Sequence, residues 1–367
     1  MSSTEHLKEA DRVMVICNSC RYCEGFCAVF PAMERRRIFT EKDLKYLANL
    51  CHNCRDCYYA CQYAPPHEFD LNLPKTLAEL RLDTYRDFAW PALFGGLFKR
   101  NVPATVLIAA LSVVLVSLLT LIIQGTSTVF STHLGENAFY KIIPYLIIVI
   151  PMSALGLFVL TSLTMGFRRL WRDTGGAADE IIDLRANVGA LKDALSLKYL
   201  AGGGHGCNYP DERFSHIRRW FHHFTFYGFM LCLASTTVAA FYDHFLHWRA
   251  PYPFWSWPVV LGTVGGVALL IGTGGLLYLK KTMDPVPAAP ASFGMDIGFL
   301  ILLFLVSSTG LLLLALRETA AMGTLLTIHL GLVVALFIAL PYGKFIHAVY
   351  RYAALVRNAI EALREGH

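Results

Sequence analysis

The residues best suited to chemistry are eight cysteines near the start of the chain, set out in two copies of one spacing. Cys17, Cys20, Cys23 and Cys27 form a C-x2-C-x2-C-x3-C run, and Cys51, Cys54, Cys57 and Cys61 repeat it. Three thiolates spaced by two residues can wrap one cubane cluster, each meeting its own iron. In proteins with two such clusters, the fourth cysteine of a run ligates the other cluster. The spacing therefore assigns one [4Fe–4S] cluster to Cys17, Cys20, Cys23 and Cys61. The other falls to Cys51, Cys54, Cys57 and Cys27. Structural zinc takes four thiolates from spaced pairs, and two four-cysteine runs match that poorly.

Histidines form the second group. "TIHLGLVVALFIALPYGKFIHAVYR" holds His329 and His347, eighteen residues apart. On an uninterrupted helix they share a face, about 27 Å apart along the axis. That separation suits two depths in a membrane rather than one shared metal. A b-type haem with two histidine ligands needs a second imidazole at matching depth. "RRWFHHFTFYGF" offers His222 and His223 level with His347, giving a His223–His347 pair with His222 as the alternative. "FYDHFLHW" offers His244 and His247 level with His329, so His329 and His244 are candidates for a second, outer haem. No C-x-x-C-H is present, which argues against covalently attached haem.

The elements that must carry these residues follow from composition. The chain is 367 residues long, 55% hydrophobic and only 16% charged. Soluble domains carry roughly 25% charged residues, so a membrane protein is expected. Residues 1–90 are polar and Cys-rich, with no apolar signal core at the start. Residues 91–367 hold apolar runs near 102–124, 142–167, 223–242, 258–279, 294–316 and 324–346. Each is long enough to span a hydrocarbon layer of ~30 Å as a helix, and the last is expected to run on past Pro341. The glycines of "LGTVGGVALLIGTGG" lie inside such a run and predict close helix packing rather than a nucleotide loop. Lys99, Arg100, Arg168, Arg169, Arg172, Arg218, Arg219, Lys280, Lys281, Lys344 and Arg351 flank one set of ends. The opposite loops carry only Lys141, Arg249 and Arg317. The positive-inside rule then places the Cys-rich domain, the 168–222 loop and both termini in the cytoplasm. Nothing in the charge pattern suggests a nucleic-acid binder.

With these residues in view, the last four spans resemble the cytochrome b (gamma) subunit of respiratory nitrate reductase. The shared pattern stands here as His329, Leu330, Pro341 and His347, with Phe221, His222, His223 and Gly228 on the partner helix. That resemblance favours His223. It also puts Leu233 where the family has another histidine, and His244 lies eleven residues further on. The whole chain is similar to the tricarballylate (citrate) utilisation protein B family, through "LKDALSLKYLAGGGHGCNYPDE", "RRWFHHFTFYGF" and "LPYGKFIHAVYR".

The resemblance implies a mostly α fold, with an α-helical ferredoxin-like domain joined to a six-helix cytochrome b-like bundle in a bacterial inner membrane. It implies a redox subunit rather than a stand-alone enzyme. Electrons would come from the reduced FAD of a partner tricarballylate dehydrogenase and go to a membrane quinone. Pro31 and Pro65 follow the cysteine runs later than in bacterial ferredoxins, which fits a helical variant of that domain. The alternative is a thiol–disulfide redox subunit similar to heterodisulfide reductases, although the CCG repeats of those proteins are missing here. His205 and Cys207, in the glycine-rich loop, have no role assigned by the sequence.

Overall fold

The computed structural model describes residues 2–366. Five helices make up the Cys-rich part: α1 (Ser3–Cys20), α2 (Val29–Glu34), α3 (Glu41–Leu50), α4 (Asp56–Tyr59) and α5 (Leu73–Asp87). Local signals set their starts. Ser2 and Glu5 form a reciprocal cap at the head of α1, and Thr40 and Asp43 do the same for α3. Asn72 caps α5, with Pro74 in its first turn. A stretch of 3-10 helix, Ala92–Arg100, leads into the long helices.

The long helices are α6 (Asn101–Val129), α8 (Tyr145–Asp173), α10 (Ile217–Phe245), α11 (Trp257–Thr282), α12 (Pro290–Leu316) and α13 (Met322–Ala339). Short α7 (Ala138–Ile142) precedes α8, and α9 (Leu184–Leu195) lies between α8 and α10. Helix α14 (Ile346–Arg364) is the last of the described helices, and among the described residues one two-stranded ladder pairs β1 (Cys207–Asn208) with β2 (Phe214–Ser215). Six segments are long and apolar enough to cross a membrane, the last running from Met322 through α14. Their outward faces are apolar: Val106, Leu111, Leu115 and Ile122 on α6, and Leu157 and Leu160 on α8, are exposed. A soluble surface rarely carries so continuous an apolar belt; lipid hydrocarbon is its natural solvent.

Pro144 precedes the first residue of α8, where its missing N–H costs no hydrogen bond. One boundary differs from the sequence expectation. The sixth span does not continue unbroken past Pro341. A 3-10 turn covers Leu340–Tyr342, Gly343 is extended, and α14 starts afresh at Ile346. The break is held in place: Asn101 Nδ2 donates to the Tyr342 carbonyl at 3.0 Å, and the Tyr342 hydroxyl donates to the Trp90 carbonyl at 3.0 Å. His329 and His347 therefore stand on separate helices, and the single-helix register between them does not apply.

The Cys-rich part is not a loosely tethered module. Met14, Phe30, Leu47, Leu77 and Tyr85 share one buried core with Trp171, Tyr350, Leu355 and Ile360 from α8 and α14. Ion pairs close its edge. Arg36 reaches Glu361 and Asp43, both at 2.6 Å, and Arg35 reaches Glu365 at 2.8 Å. Arg36 and Arg357 also lie over the Tyr46 ring, 4.9 and 4.7 Å from its centroid.

Small residues let helices approach closely within the bundle. At Gly265 of α11 an added Cβ would lie 2.8 Å from the Gly228 carbonyl oxygen and 2.9 Å from the Cys232 nitrogen of α10. Gly265→Leu is therefore expected to force α10 and α11 apart at a cost of about 1–3 kcal/mol. Thermal unfolding of the detergent-purified protein checks this against Gly96→Ala, whose new methyl group meets nothing within 4 Å. Equal midpoints for the two variants would refute the packing argument.

Candidate cofactor sites

Left-handed turns wrap the two cysteine runs. Arg21 ends α1 at φ 56°, Gly25 has φ 93°, and Asn53 and Arg55 turn the second run at φ 54° and 74°. Cys17, Cys20, Cys23 and Cys61 line one cavity with Tyr22, Phe30, Tyr63, Leu71 and Leu73, and Cys57 forms part of its wall. The last cysteine of the second run thus stands among the first three of the first. Burial, with Cys61 and other thiols close by, pushes Cys17 and Cys23 up to about 12. Cys27 has crossed the other way and contacts Cys54, with Cys51 and Cys57 nearby.

Zinc–thiolate bonds are about 2.3 Å long, so a zinc site draws its sulfurs tightly together. Among the described residues no three His, Cys, Asp or Glu side chains converge in that way. A four-iron cubane offers each thiolate its own iron, and four thiols to a set is the donor chemistry it would take.

The glycine-rich loop closes over the second set. Gly202, Gly204 and Gly206 all have positive φ, and the Asn208 N–H donates to Asp56 Oδ1 at 2.9 Å. Burial pushes that Asp56 carboxyl up to about 7. Cys207 is fully buried, its thiol donating to the Leu200 carbonyl at 3.2 Å. It shares a buried cluster with Cys54, Leu200, Tyr209 and Leu279. The neighbouring Cys207 and Cys27 thiols hold Cys54 well below the ordinary thiol range. His205, two residues before Cys207, is exposed and packs on Phe214.

The histidines are sorted by helix geometry. His222 of α10 faces His347 of α14, with ring centroids 6.2 Å apart and planes at 78°. His347 Nδ1–H donates to the Lys344 carbonyl at 2.5 Å, which leaves Nε2 free. His222 Nδ1 is buried with no partner. Metal–imidazole bonds near 2 Å on either side of one metal place two ring centroids about 6 Å apart. The apolar walls around the pair are Phe226, Phe229, Met230, Phe299, Leu303 and Phe345. This arrangement fits a haem held between two imidazoles.

His223, favoured for this position by the sequence, does not face His347. Adjacent residues on a helix point about 100° apart, and His223 stacks on Tyr227 instead, at 5.6 Å. The outer pair is not assembled either. His329 Nδ1 lies 3.1 Å from the Thr309 hydroxyl. His244 is exposed, with Nδ1 3.4 Å from the Tyr145 hydroxyl.

Comparison with known proteins agrees with this architecture. Residues 96–367 match the family model described as citrate utilization protein B, and residues 10–87 match the Fer4-like domain of citrate utilization protein B. The chain is 48% identical to citrate utilization protein B of Escherichia coli over 362 residues, which is 98% of this chain and 94% of that protein. It belongs to the citrate utilization protein B family. No solved structure matches it. A Fer4-like domain in this family suggests an iron–sulfur electron-transfer role.

The charged residues of this family member's histidine cavity were not singled out by sequence reasoning as one group. Arg55, Arg81, Arg218, Lys280, Lys344 and Arg351 all line it, as does the buried His52 of the second cysteine run. Asp296 sits between Lys280 and Lys344, 2.6 Å from the latter. The available signal was Asp296, an acid inside an otherwise apolar span, which is costly without a partner.

The loop over Cys54 yields a direct test. At Gly206, φ is +99° and a Cβ would lie 2.6 Å from the Ser215 carbonyl oxygen. Gly206→Val should cost about 1–3 kcal/mol and release the loop. Hydrogen exchange across residues 201–208 is then expected to speed up, and unchanged protection would show that the loop does not depend on this turn.

Proposed function

We propose that this chain is the membrane electron-transfer subunit of a flavoprotein dehydrogenase. Reduced FAD of a tricarballylate dehydrogenase-like partner would be the donor, and a membrane quinone the acceptor. When bound, two [4Fe–4S] clusters and a b-type haem supply one-electron carriers between these two-electron partners. The observation that carries the reading is the His222–His347 pair, 6.2 Å apart, in a cavity whose wall includes the second cysteine run.

The protein's own residues divide the work. Cys17, Cys20, Cys23 and Cys61 hold the first cluster, in the cavity bordered by Tyr22 and Tyr63. Cys27, Cys51, Cys54 and Cys57 hold the second. His52 follows Cys51 directly and lines the histidine cavity, so one loop serves both sites. His222 and His347 would hold the haem, and the Lys344 carbonyl fixes the His347 tautomer that leaves Nε2 available. The excess of Lys and Arg at the ends nearest the cysteines supports a cytoplasmic Cys-rich part and cytoplasmic termini in a bacterial inner membrane.

Metal analysis and a reduced-minus-oxidised spectrum of the full-length protein test this. About eight irons in clusters and a b-type haem band are expected. His222→Ala and His347→Ala should each abolish that band while leaving cluster iron in place. His223→Ala should keep it, and loss of haem from His223→Ala alone would reverse the ligand assignment. Cys20→Ser should remove one cluster and spare the haem band; two intact clusters in that variant would refute the thiol assignment.

A further inference from the structure

Six cations line the histidine cavity, and only two of them have an acidic partner. Lys280 and Lys344 share Asp296. Among the described residues the four arginines have no carboxylate within ion-pair distance, and their main bonds are to backbone carbonyls. Arg81 donates to Cys51 at 2.5 Å, and Arg351 donates to the same oxygen at 2.6 Å. Arg218 donates to Asn53 at 2.6 Å, and Arg55 donates to Asp284 at 3.0 Å. Arg55 and Arg218 also lie over the Tyr209 ring, at 4.6 and 4.8 Å. Arg55 is 1% exposed and Arg81 is 6% exposed, and Arg55 Nε has no partner at all.

A guanidinium stays charged throughout the ordinary pH range. Burying four such charges against carbonyl oxygens alone is unfavourable, because a buried charge needs an opposite charge as well as hydrogen bonds. Lysines could lose a proton to relieve the repulsion, but arginines cannot. Beside these cations the cavity is lined by apolar Phe226, Phe229, Met230, Phe299 and Leu303, and Arg81, Arg218 and Arg351 stand against the Cys51 and Asn53 carbonyls. It is built for a ligand with a broad apolar body and carboxylates at one edge.

We infer that Arg55, Arg81, Arg218 and Arg351 form a carboxylate-binding rim that takes the propionates of the haem and turns that edge toward the Cys51–Arg55 loop. This rests on His222 and His347 being the haem ligands. Arg81 and Arg351 are doubly committed. Each would hold a propionate while anchoring the carbonyl of a cluster cysteine, so binding at the rim and placement of the second cluster become one problem. The four charges could instead serve only to offset the negative thiolate cluster. The two roles differ in whether the carboxylates on the porphyrin matter.

The test uses the full-length protein in membranes from haem-deficient cells, titrated with haemin and with its dimethyl ester and followed by the Soret band. The ester keeps iron and ring but removes both charges, and its greater apolarity favours entry to an apolar cavity. A rim that binds propionates reverses that order: haemin should bind at least ~10-fold tighter, one charge-assisted hydrogen bond being worth about that factor. Arg55→Gln/Arg218→Gln should shrink the gap to under ~3-fold, and the Lys replacements at both positions should restore part of it. Equal affinities in the unaltered protein overturn the rim without reference to any variant. Equal weakening of both porphyrins by the Gln pair would show that the arginines only support the cysteine loop. No Soret band with either porphyrin overturns the haem ligands themselves, and the rim with them.

Discussion

The carbonyl oxygen of Cys51 accepts from two guanidiniums, Arg81 on α5 and Arg351 on α14. This shared acceptor is where the polar part of the chain and the apolar bundle become one object. A buried carbonyl must be satisfied, and here the donors come from helices more than two hundred and fifty residues apart in sequence. Arg218, at the head of α10, does the same for Asn53. Three helices thus grip one cysteine-bearing loop. Displacing any of them strands a buried arginine or a buried carbonyl, a penalty larger than the ordinary worth of one hydrogen bond. The loop position is thereby fixed relative to His222, which lies one helical turn beyond Arg218, and to His347, one turn before Arg351.

Charge inside the bundle obeys the same requirement. Asp296 sits within an apolar helix, a costly place for a carboxylate, and Lys280 and Lys344 approach it from α11 and from the break before α14. The triad ties three segments at the end of the bundle nearest the cysteines. It also explains why the chain breaks at Leu340–Phe345 rather than passing straight through. Lys344 lies in the break, and its carbonyl is the acceptor for His347 Nδ1. A continuous helix would commit that carbonyl to the amide four residues on. In the break it accepts instead from the His347 amide, at 3.1 Å, and from the ring Nδ1–H of the same residue.

How much of this was legible in sequence depends on whether the signal was local. Cysteine spacing is local, because i and i+3 positions on a tight turn must converge, and the crossing of Cys27 and Cys61 follows from a repeated run. Span existence is local too, since apolar length alone decides it. The choice between His222 and His223 is not. Both begin the same apolar run, and only the packing of α10 on its neighbours selects which face turns inward. The break at Pro341–Gly343 carried its signal in plain view, but membrane helices tolerate proline, so the residue alone did not decide. The arginine rim was the least legible feature. Arg55, Arg81, Arg218 and Arg351 are scattered over the chain, and two of them read as ordinary topology signals at helix ends.

The same physics bears on why such a domain is fused to such a bundle. A ferredoxin-like domain that merely collided with a membrane partner would need a charged, solvent-exposed face near its cofactor. In this chain two cysteines of the second set, Cys51 and Cys54, are buried, and Cys207 of the glycine-rich loop packs in one cluster with Cys54. The first set is different, since Tyr22 is exposed and its cavity opens among Tyr22, Gln62 and Tyr63. Burial therefore sets Cys51 and Cys54 apart from the other six cysteines of the two runs, which are half-buried. Cys57 itself lines the cavity of the first set, so the two sets meet at that wall. Access to the thiols is graded along the two runs, and the Cys51 carbonyl, held by Arg81 and Arg351, fixes the buried end of that gradient beside the histidine cavity.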